Sequence, residues 1–171
     1  MDAQAFLALA ISCAPAVHTD TATALVQVES GFNAWAIGVV GGQLERQPRN
    51  RLEALATARA LRSAGWNFSV GLGQINVRNI ERLGLTLETA FSPCANLAAM
   101  QAVLAECFDR ASARGAATSQ TALGQALSCY YSGNFATGFE HGYVHRVQNA
   151  ARDLRRNRPA RITGIVRKEK A

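Results

Sequence analysis

Glu29 is the residue whose position in the sequence most strongly suggests chemistry. It follows Ala22, Leu25 and Val26 at the spacing i, i+3, i+4, i+7, so a helix would turn its carboxyl toward the interior or a cleft. Burial and the negative end of a helix dipole both favour the protonated carboxyl. A carboxyl that stays neutral near pH 7 can protonate a leaving oxygen, as glycosidic cleavage requires. The alternative is a glutamate at the edge of the stripe whose carboxylate reaches solvent.

A second candidate is the segment 71–76, with the sequence GLGQIN. Its two glycines would let the backbone approach a ligand closely, and Gln74 and Asn76 present planar amides of the kind that bind sugars. The alternative is a tight loop with no ligand, because a GxG pattern is a weak signal by itself.

A third candidate is Tyr130, which lies on the apolar face of a predicted helix just before Ser132-Gly133-Asn134 ends it. Its hydroxyl would reach a partner in a cleft. A tyrosine of the core explains the same pattern.

Other chemistries lack their motifs. The sequence has no GxSxG and no P-loop, and its histidines lack the spacing of a zinc protease, so none of these chemistries is indicated. A glycosidase with two carboxylates would need a second acid facing Glu29. The sequence does not identify that acid; Glu45 and Glu53 are the first to consider.

Four cysteines occur without a CxxC pair: Cys13, Cys94, Cys107 and Cys129. An even count at wide spacing fits two disulfides formed in an oxidising compartment. Four buried free thiols fit the count equally well.

Hydrophobic periodicity predicts a mainly helical α+β domain with a small β element between residues 36 and 70. The expected elements, in chain order, are a helix around 5–13, a helix capped by Thr19 or Asp20 and ending at Ser30-Gly31, a hairpin over 36–47 turning at Gly41-Gly42, a helix over 51–64, an extended segment over 67–70, a short helix to about 83, a long helix capped by Asn96, a helix ending at Ser132, and a helix from Tyr143.

The 171 residues are enough for one domain, and we expect it to cover 1–151, followed by a basic tail over 152–171. The tail accounts for the whole net charge of +6, which argues against a domain that binds nucleic acid specifically. No apolar run is long enough for a membrane span. The apolar stretch 5–11 has no preceding Lys or Arg, so it is an unconvincing export signal.

The three candidates occur in an order that resembles the lytic transglycosylases of the lysozyme-like superfamily. Glu29-Ser30 is similar to their E-S pair, Gly71 to Asn76 to their G-L-x-Q-I-N loop, and Ala126 to Gly133 to their A-x-x-x-Y-N-x-G helix end. Segments 36–38, 92–96 and 142–147 narrow the resemblance to the VirB-type enzymes of type IV secretion and conjugation. One departure is Tyr131, where the family has Asn; Asn134 is a candidate replacement.

The resemblance implies a peptidoglycan lytic transglycosylase that works in the periplasm without a cofactor, on glycan strands and beside a secretion apparatus. Glu29 would be acid and then base, closing the muramyl 6-hydroxyl into a 1,6-anhydro product. The implied substrate-binding residues are Ser30, Gln74, Ile75, Asn76, Tyr130, Tyr131, Gly133 and Asn134, with Tyr130 orienting Glu29 or the sugar. The resemblance also favours the disulfides Cys13–Cys94 and Cys107–Cys129. A hydrolytic lysozyme, or a silent wall-binding scaffold that docks through its tail, remains an alternative.

Overall fold

Helices dominate the computed structural model, which describes residue 1 and residues 3–157. The elements, in chain order, are α1 (Ala3–Cys13), α2 (Thr19–Ser30), β1 (Ile37–Val39), α3 (Arg51–Ser63), β2 (Phe68–Val70), β3 (Ile75–Asn76), α4 (Val77–Arg82), α5 (Leu87–Ala90), α6 (Pro93–Ala113), α7 (Ser119–Ser132), α8 (Thr137–Glu140) and α9 (Tyr143–Arg156). The predicted mainly helical α+β class is confirmed. Within the described residues, no helix is both long and apolar enough to cross a membrane.

Helix α2 carries Glu29 in its last turn. It begins one residue earlier than a Thr19 cap would allow, because His18 Nδ1 accepts the amide of Asp20 at 3.2 Å and so caps the helix. The predicted cap at Thr19 or Asp20 is therefore wrong. The helix ends as predicted: Gly31 adopts the left-handed conformation, with φ 57°, which suits glycine.

The sheet is antiparallel in the order β1-β2-β3, with Ile37 opposite Val70 and Ser69 opposite Asn76. The predicted hairpin over 36–47 is wrong, because β1 pairs with β2 and not with the segment after Gly42. On the other side of β1, the Gln47 side chain accepts from Ile37 N and donates to Ile37 O, each at 2.9 Å. An amide side chain carries both groups of a peptide, so it substitutes for a further strand.

Helix α6 begins at Pro93, with Ser92 at the N-cap position, so the prediction that Asn96 caps it is wrong. Proline suits the first helical turn because its missing N–H would have no helical partner there. Asn96 lies inside the helix and is buried, and its side chain turns away to bind other segments.

Helices α1, α2, α6, α7 and α9 enclose the core, whose largest buried side chains include Phe6, Leu25, Met100 and Tyr143. Two disulfides tie these helices together. Cys13–Cys94 joins α1 to α6, with Cα atoms 5.2 Å apart, and Cys107–Cys129 joins α6 to α7 at 5.7 Å. These are the two pairs that the family resemblance implies, and they resolve the choice between disulfides and free thiols.

Helix α9 continues to Arg156, five residues beyond the predicted domain boundary. The remainder of the predicted basic tail, residues 158–171, lies outside the described residues.

Candidate active site

A groove of about 760 Å³ runs between the sheet and helices α4, α6 and α7, and Glu29 lies in its lining. The sheet side contributes Gly38, Val39, Asn67 and Ser69, the segment after β2, which includes β3, contributes Gln74, Ile75 and Asn76, and the helical side contributes Val103, Cys107, Cys129, Tyr130, Tyr131 and Gly133. The groove therefore brings residues from segments far apart in the chain close to the Glu29 carboxyl at the end of α2.

Burial raises the pKa of the Glu29 carboxyl from 4.5 to about 7. A hydrogen bond from Tyr143 and the positive charge of Arg146 both lower this pKa, but removal from water has the larger effect. Near neutral pH, Glu29 is thus divided between its acid and base forms. A group in that condition can donate a proton and take one back within a reaction cycle.

Tyr143 is the partner of Glu29: its hydroxyl donates to Glu29 Oε1. The sequence prediction gave an orienting role to Tyr130 and named Tyr143 only as the start of the last helix. Tyr143 is only 2% exposed. A buried tyrosine still requires a partner for its hydroxyl, and that requirement was the available signal.

Tyr130 has a different partner from the one expected. Its hydroxyl donates to Gly73 O at 2.5 Å and so ties α7 to the loop after β2. Burial raises its pKa well above the usual value, and the nearby Glu29 charge raises it further. Tyr130 is thus a neutral phenol close to Glu29, and its hydroxyl holds the Gly73 backbone in the groove.

The glycines of the loop over 71–76 make room for side chains of the protein itself. A Cβ on Gly71 would lie 2.3 Å from Asn96 Nδ2, and one on Gly73 would lie 3.1 Å from the Tyr130 hydroxyl. Asn96 uses this space to donate to Val70 O and Ala90 O and to accept from Gly73 N. The close approach at these two glycines is therefore to side chains of α6 and α7.

Gln74, Ile75 and Asn76 line the groove, and the side-chain amides of Gln74 and Asn76 also make hydrogen bonds that hold this segment. Gln74 Nε2 donates to Ala36 O at 3.1 Å and to Gly71 O at 2.9 Å. Asn76 Oδ1 caps α4 by accepting from Arg78 N at 3.1 Å. Ile75 is 2% exposed and contributes to both the core and the groove lining.

Tyr131, at the departure from the family pattern, lines the groove and is 43% exposed. Its ring stacks on Tyr143 with centroids 4.6 Å apart, and its hydroxyl lies 3.3 Å from His141 Nδ1. Tyr131 is thus linked to Glu29 through Tyr143. Gly133, which ends α7 with φ 79°, also lines the groove.

Two of the predicted substrate-binding residues lie outside the groove lining. The Ser30 hydroxyl donates to Val26 O at 3.2 Å within α2. Asn134 Oδ1 accepts the amides of Ala136 and Thr137, each at 2.9 Å, so its side chain stabilises the turn before α8. Asn134 is therefore not placed to replace the family's Asn at position 131.

The acids considered as a second carboxylate, Glu45 and Glu53, do not line the groove either, and Glu53 pairs with Arg46 at 2.7 Å. The other acid in the lining is Glu106, which pairs with Arg82 at 2.7 Å. Among the described residues, no three His, Cys, Asp or Glu side chains are grouped so as to hold a metal ion.

A helical body, a small sheet and a protonatable glutamate at a helix end inside the groove between them define a lysozyme-like enzyme of glycan cleavage. The family model for the "Transglycosylase SLT domain" matches residues 6–152, so the chain belongs to this family and is a peptidoglycan lytic transglycosylase.

Within the family it is of the VirB type. It is 45% identical over 168 residues to the "Type IV secretion system protein virB1" of Brucella suis, covering 95% of this chain and 70% of that protein. It is 38% identical over 148 residues to the "Protein virB1" of Rhizobium radiobacter, covering 85% of this chain and 60% of that protein. No solved structure shows significant similarity to the chain.

Proposed function

We propose that Glu29 cleaves the β-1,4 bond between N-acetylmuramic acid and N-acetylglucosamine as general acid and then as general base. The observation that carries this proposal is the Glu29 carboxyl in the groove, with a pKa of about 7 and a hydrogen bond from Tyr143. A transglycosylase needs one group that is protonated at the start and able to accept a proton later.

The proposed reaction starts when Glu29 donates its proton to the glycosidic oxygen and the bond from that oxygen to the muramyl anomeric carbon breaks. The carbonyl of the substrate's own N-acetyl group stabilises the positive charge at this carbon. The ionised Glu29 then takes the proton of the muramyl 6-hydroxyl while that oxygen bonds to the anomeric carbon. The product is a 1,6-anhydro sugar, no water is consumed, and Glu29 is protonated again.

The surroundings of Glu29 favour this route over hydrolysis by two carboxylates. A hydrolase of that kind places its second carboxylate free to act across the scissile bond. Glu106 is the second acid of the described groove lining, and its carboxylate is held by Arg82. The lining also includes amides, tyrosines and apolar side chains, which suit the uncharged sugar rings of a glycan chain.

We further propose that the enzyme opens the wall locally in the periplasm for a type IV secretion or conjugation apparatus. The names of the Brucella and Rhizobium relatives support this setting. The two disulfides support it as well, because such bonds persist in oxidising compartments.

Mass spectrometry of the muropeptides released from purified peptidoglycan tests the chemistry. The wild-type chain should release anhydro-muramyl products, one water lighter than hydrolytic ones, and Glu29→Gln should release none while keeping its circular dichroism spectrum. Reducing-end products would make the enzyme a lysozyme. Glu106 would then be the first residue to replace in the search for its second carboxylate. A folded wild-type chain without any product would favour the scaffold alternative.

A further inference from the structure

The groove carries an excess of positive charge that cleavage of a neutral glycan does not require. Arg78, Arg82 and Arg110 line it, against the single charged acid Glu106 when Glu29 is protonated. Glu106 is bound to Arg82. Within residues 3–157, neither Arg78 nor Arg110 lies within ion-pair distance of a carboxylate. Two cations of the groove therefore have no described anionic partner.

Two arginines outside the groove have carboxylate partners. On α3, Arg59 pairs with Glu88 and Arg62 pairs with Glu81, each at 2.5 Å. Residues 1–151 are neutral overall, so the charge of the groove is a local concentration. Such a concentration attracts anions to the surface that carries it.

The Arg110 guanidinium is held in place without being neutralised. Its Cζ lies 5.4 Å from the centroid of the Phe135 ring, and its Nη1 lies 3.6 Å from Cys129 Sγ in the disulfide that lines the groove. An aromatic face and a sulfur atom orient a cation but leave its charge available to a ligand. Arg110 is thus a fixed cation on the helical side of the groove, while Arg78 lies on the α4 side.

We propose that Arg78 and Arg110 bind carboxylates of the peptide stems that peptidoglycan carries on its muramyl residues. The enzyme would then prefer glycan that bears anionic peptide stems. This inference rests on the proposed function, because it takes peptidoglycan as the ligand. The sugar rings offer hydroxyl and N-acetyl groups without charge, whereas the stems offer carboxylates, which match the planar fork of arginine.

Two soluble muropeptide substrates test the preference, one with free stem carboxylates and one with the same groups converted to carboxamides. The wild-type kcat/KM should be roughly tenfold higher for the carboxylate form. Arg78→Gln and Arg110→Gln should each reduce that ratio by about threefold, mainly through a higher KM for the carboxylate form. Salt at 0.3 M should shrink the wild-type ratio, because the arginines are exposed.

Arg62→Gln is the matched control, since Arg62 lies on α3 outside the groove lining and should leave the ratio at the wild-type value. A wild-type ratio near one, or equal ratios in all variants, would overturn the preference. Glycan stripped of its stems retains lactyl carboxylates, and a preference for that substrate over the carboxylate stems would overturn the assignment to peptide.

Failure of the proposed function would be seen separately, as an absence of anhydro product from every substrate. Calorimetric titration of Glu29→Gln with the two muropeptides then tests the preference without catalysis. Tighter binding of the carboxylate form, lost when Arg78→Gln and Arg110→Gln are added, would support it. Equal affinities would overturn it.

Discussion

The Tyr143 hydroxyl donates a hydrogen bond to Glu29 Oε1 across 114 residues of chain. The bond joins the end of α2 to the start of α9, two helices that pack directly on one another. The hydrogen bond favours the ionised carboxyl, so it lowers the pKa of Glu29 and opposes the effect of burial. The last helix of the domain thus positions a group carried by the second.

Tyr143→Phe should move the pH dependence of cleavage upward. Loss of the hydrogen bond removes an interaction that lowers the Glu29 pKa, so the acid form should persist to higher pH and the alkaline limb of kcat/KM should shift above pH 7. The maximal rate should fall roughly tenfold, because the carboxyl loses a fixed orientation. Product release measured from pH 5 to 9 checks both effects.

Tyr131→Phe is the control for that experiment. It removes a hydroxyl that lies near His141 and retains the ring stacked on Tyr143. Its alkaline limb should coincide with that of the wild type. If the alkaline limb of kcat/KM is not shifted in Tyr143→Phe, the Tyr143 hydroxyl does not lower the pKa of Glu29.

The raised pKa of Glu29 should make the fold less stable as pH rises. The folded-state pKa of about 7 exceeds the unfolded value of 4.5, so between these values the folded chain retains a proton that the unfolded chain has released. The free energy of unfolding therefore decreases with pH across this window, by about 3 kcal/mol if the full shift applies. Glu29→Gln should be more stable than the wild type at pH 8, and this advantage should be absent at pH 4.5.

Urea denaturation of both proteins at the two pH values measures this difference. Glu88→Gln serves as the comparison, because a hydrogen bond from Arg59 lowers the pKa of Glu88 to about 2 and so favours the ionised carboxylate in the folded chain. That contribution is lost only as pH falls below about 4.5, so the effect of Glu88→Gln should change little between pH 4.5 and pH 8. A Glu29→Gln advantage that is the same at pH 4.5 and pH 8 would contradict the raised pKa.

The sequence was sufficient to predict the parts of the site that depend on local pattern. Glu29 occupies a position that helical periodicity turns inward, and Gly31 ends the helix there, so the position of Glu29 in the last turn of α2 followed from the local pattern. Tyr143 could not be assigned in the same way. Its helix predicts a buried ring, but the identity of the hydroxyl's partner depends on how α2 and α9 pack.

The hairpin and the role of Asn96 were mispredicted for one shared reason. Side-chain amides replaced backbone partners: Gln47 takes the position of a strand beside β1, and Asn96 binds three backbone groups from distant segments. A short polar residue near a helix start predicts a cap, because local hydrogen bonds are the commonest use of such a side chain. Long-range use of an amide has no periodic signature in a sequence.

Asn96→Ala should be strongly destabilising. It would leave Val70 O, Ala90 O and Gly73 N without their buried partner, and each unsatisfied buried group costs about 1–3 kcal/mol. We expect a total loss of about 3 kcal/mol and a lower rate, since the same side chain holds the loop of Gln74. Asn149→Ala, on the exposed face of α9, is the control and should change stability little. Equal stability of the two variants would show that Asn96 is dispensable.

The two disulfides should differ in what they contribute. Replacing Cys13 and Cys94 by Ala opens a loop of 81 residues and should cost about 4 kcal/mol, whereas the pair Cys107 and Cys129 closes 22 residues and should cost about 3 kcal/mol. Only the second pair lines the groove, where it contacts Arg110. Its loss should therefore raise KM for muropeptides as well, while loss of the first should lower stability at nearly unchanged KM. Thermal melts, and KM measured well below both melting temperatures, separate the two effects. A KM increase found only in the variant without Cys13–Cys94 would contradict a role of the Cys107–Cys129 pair in substrate binding.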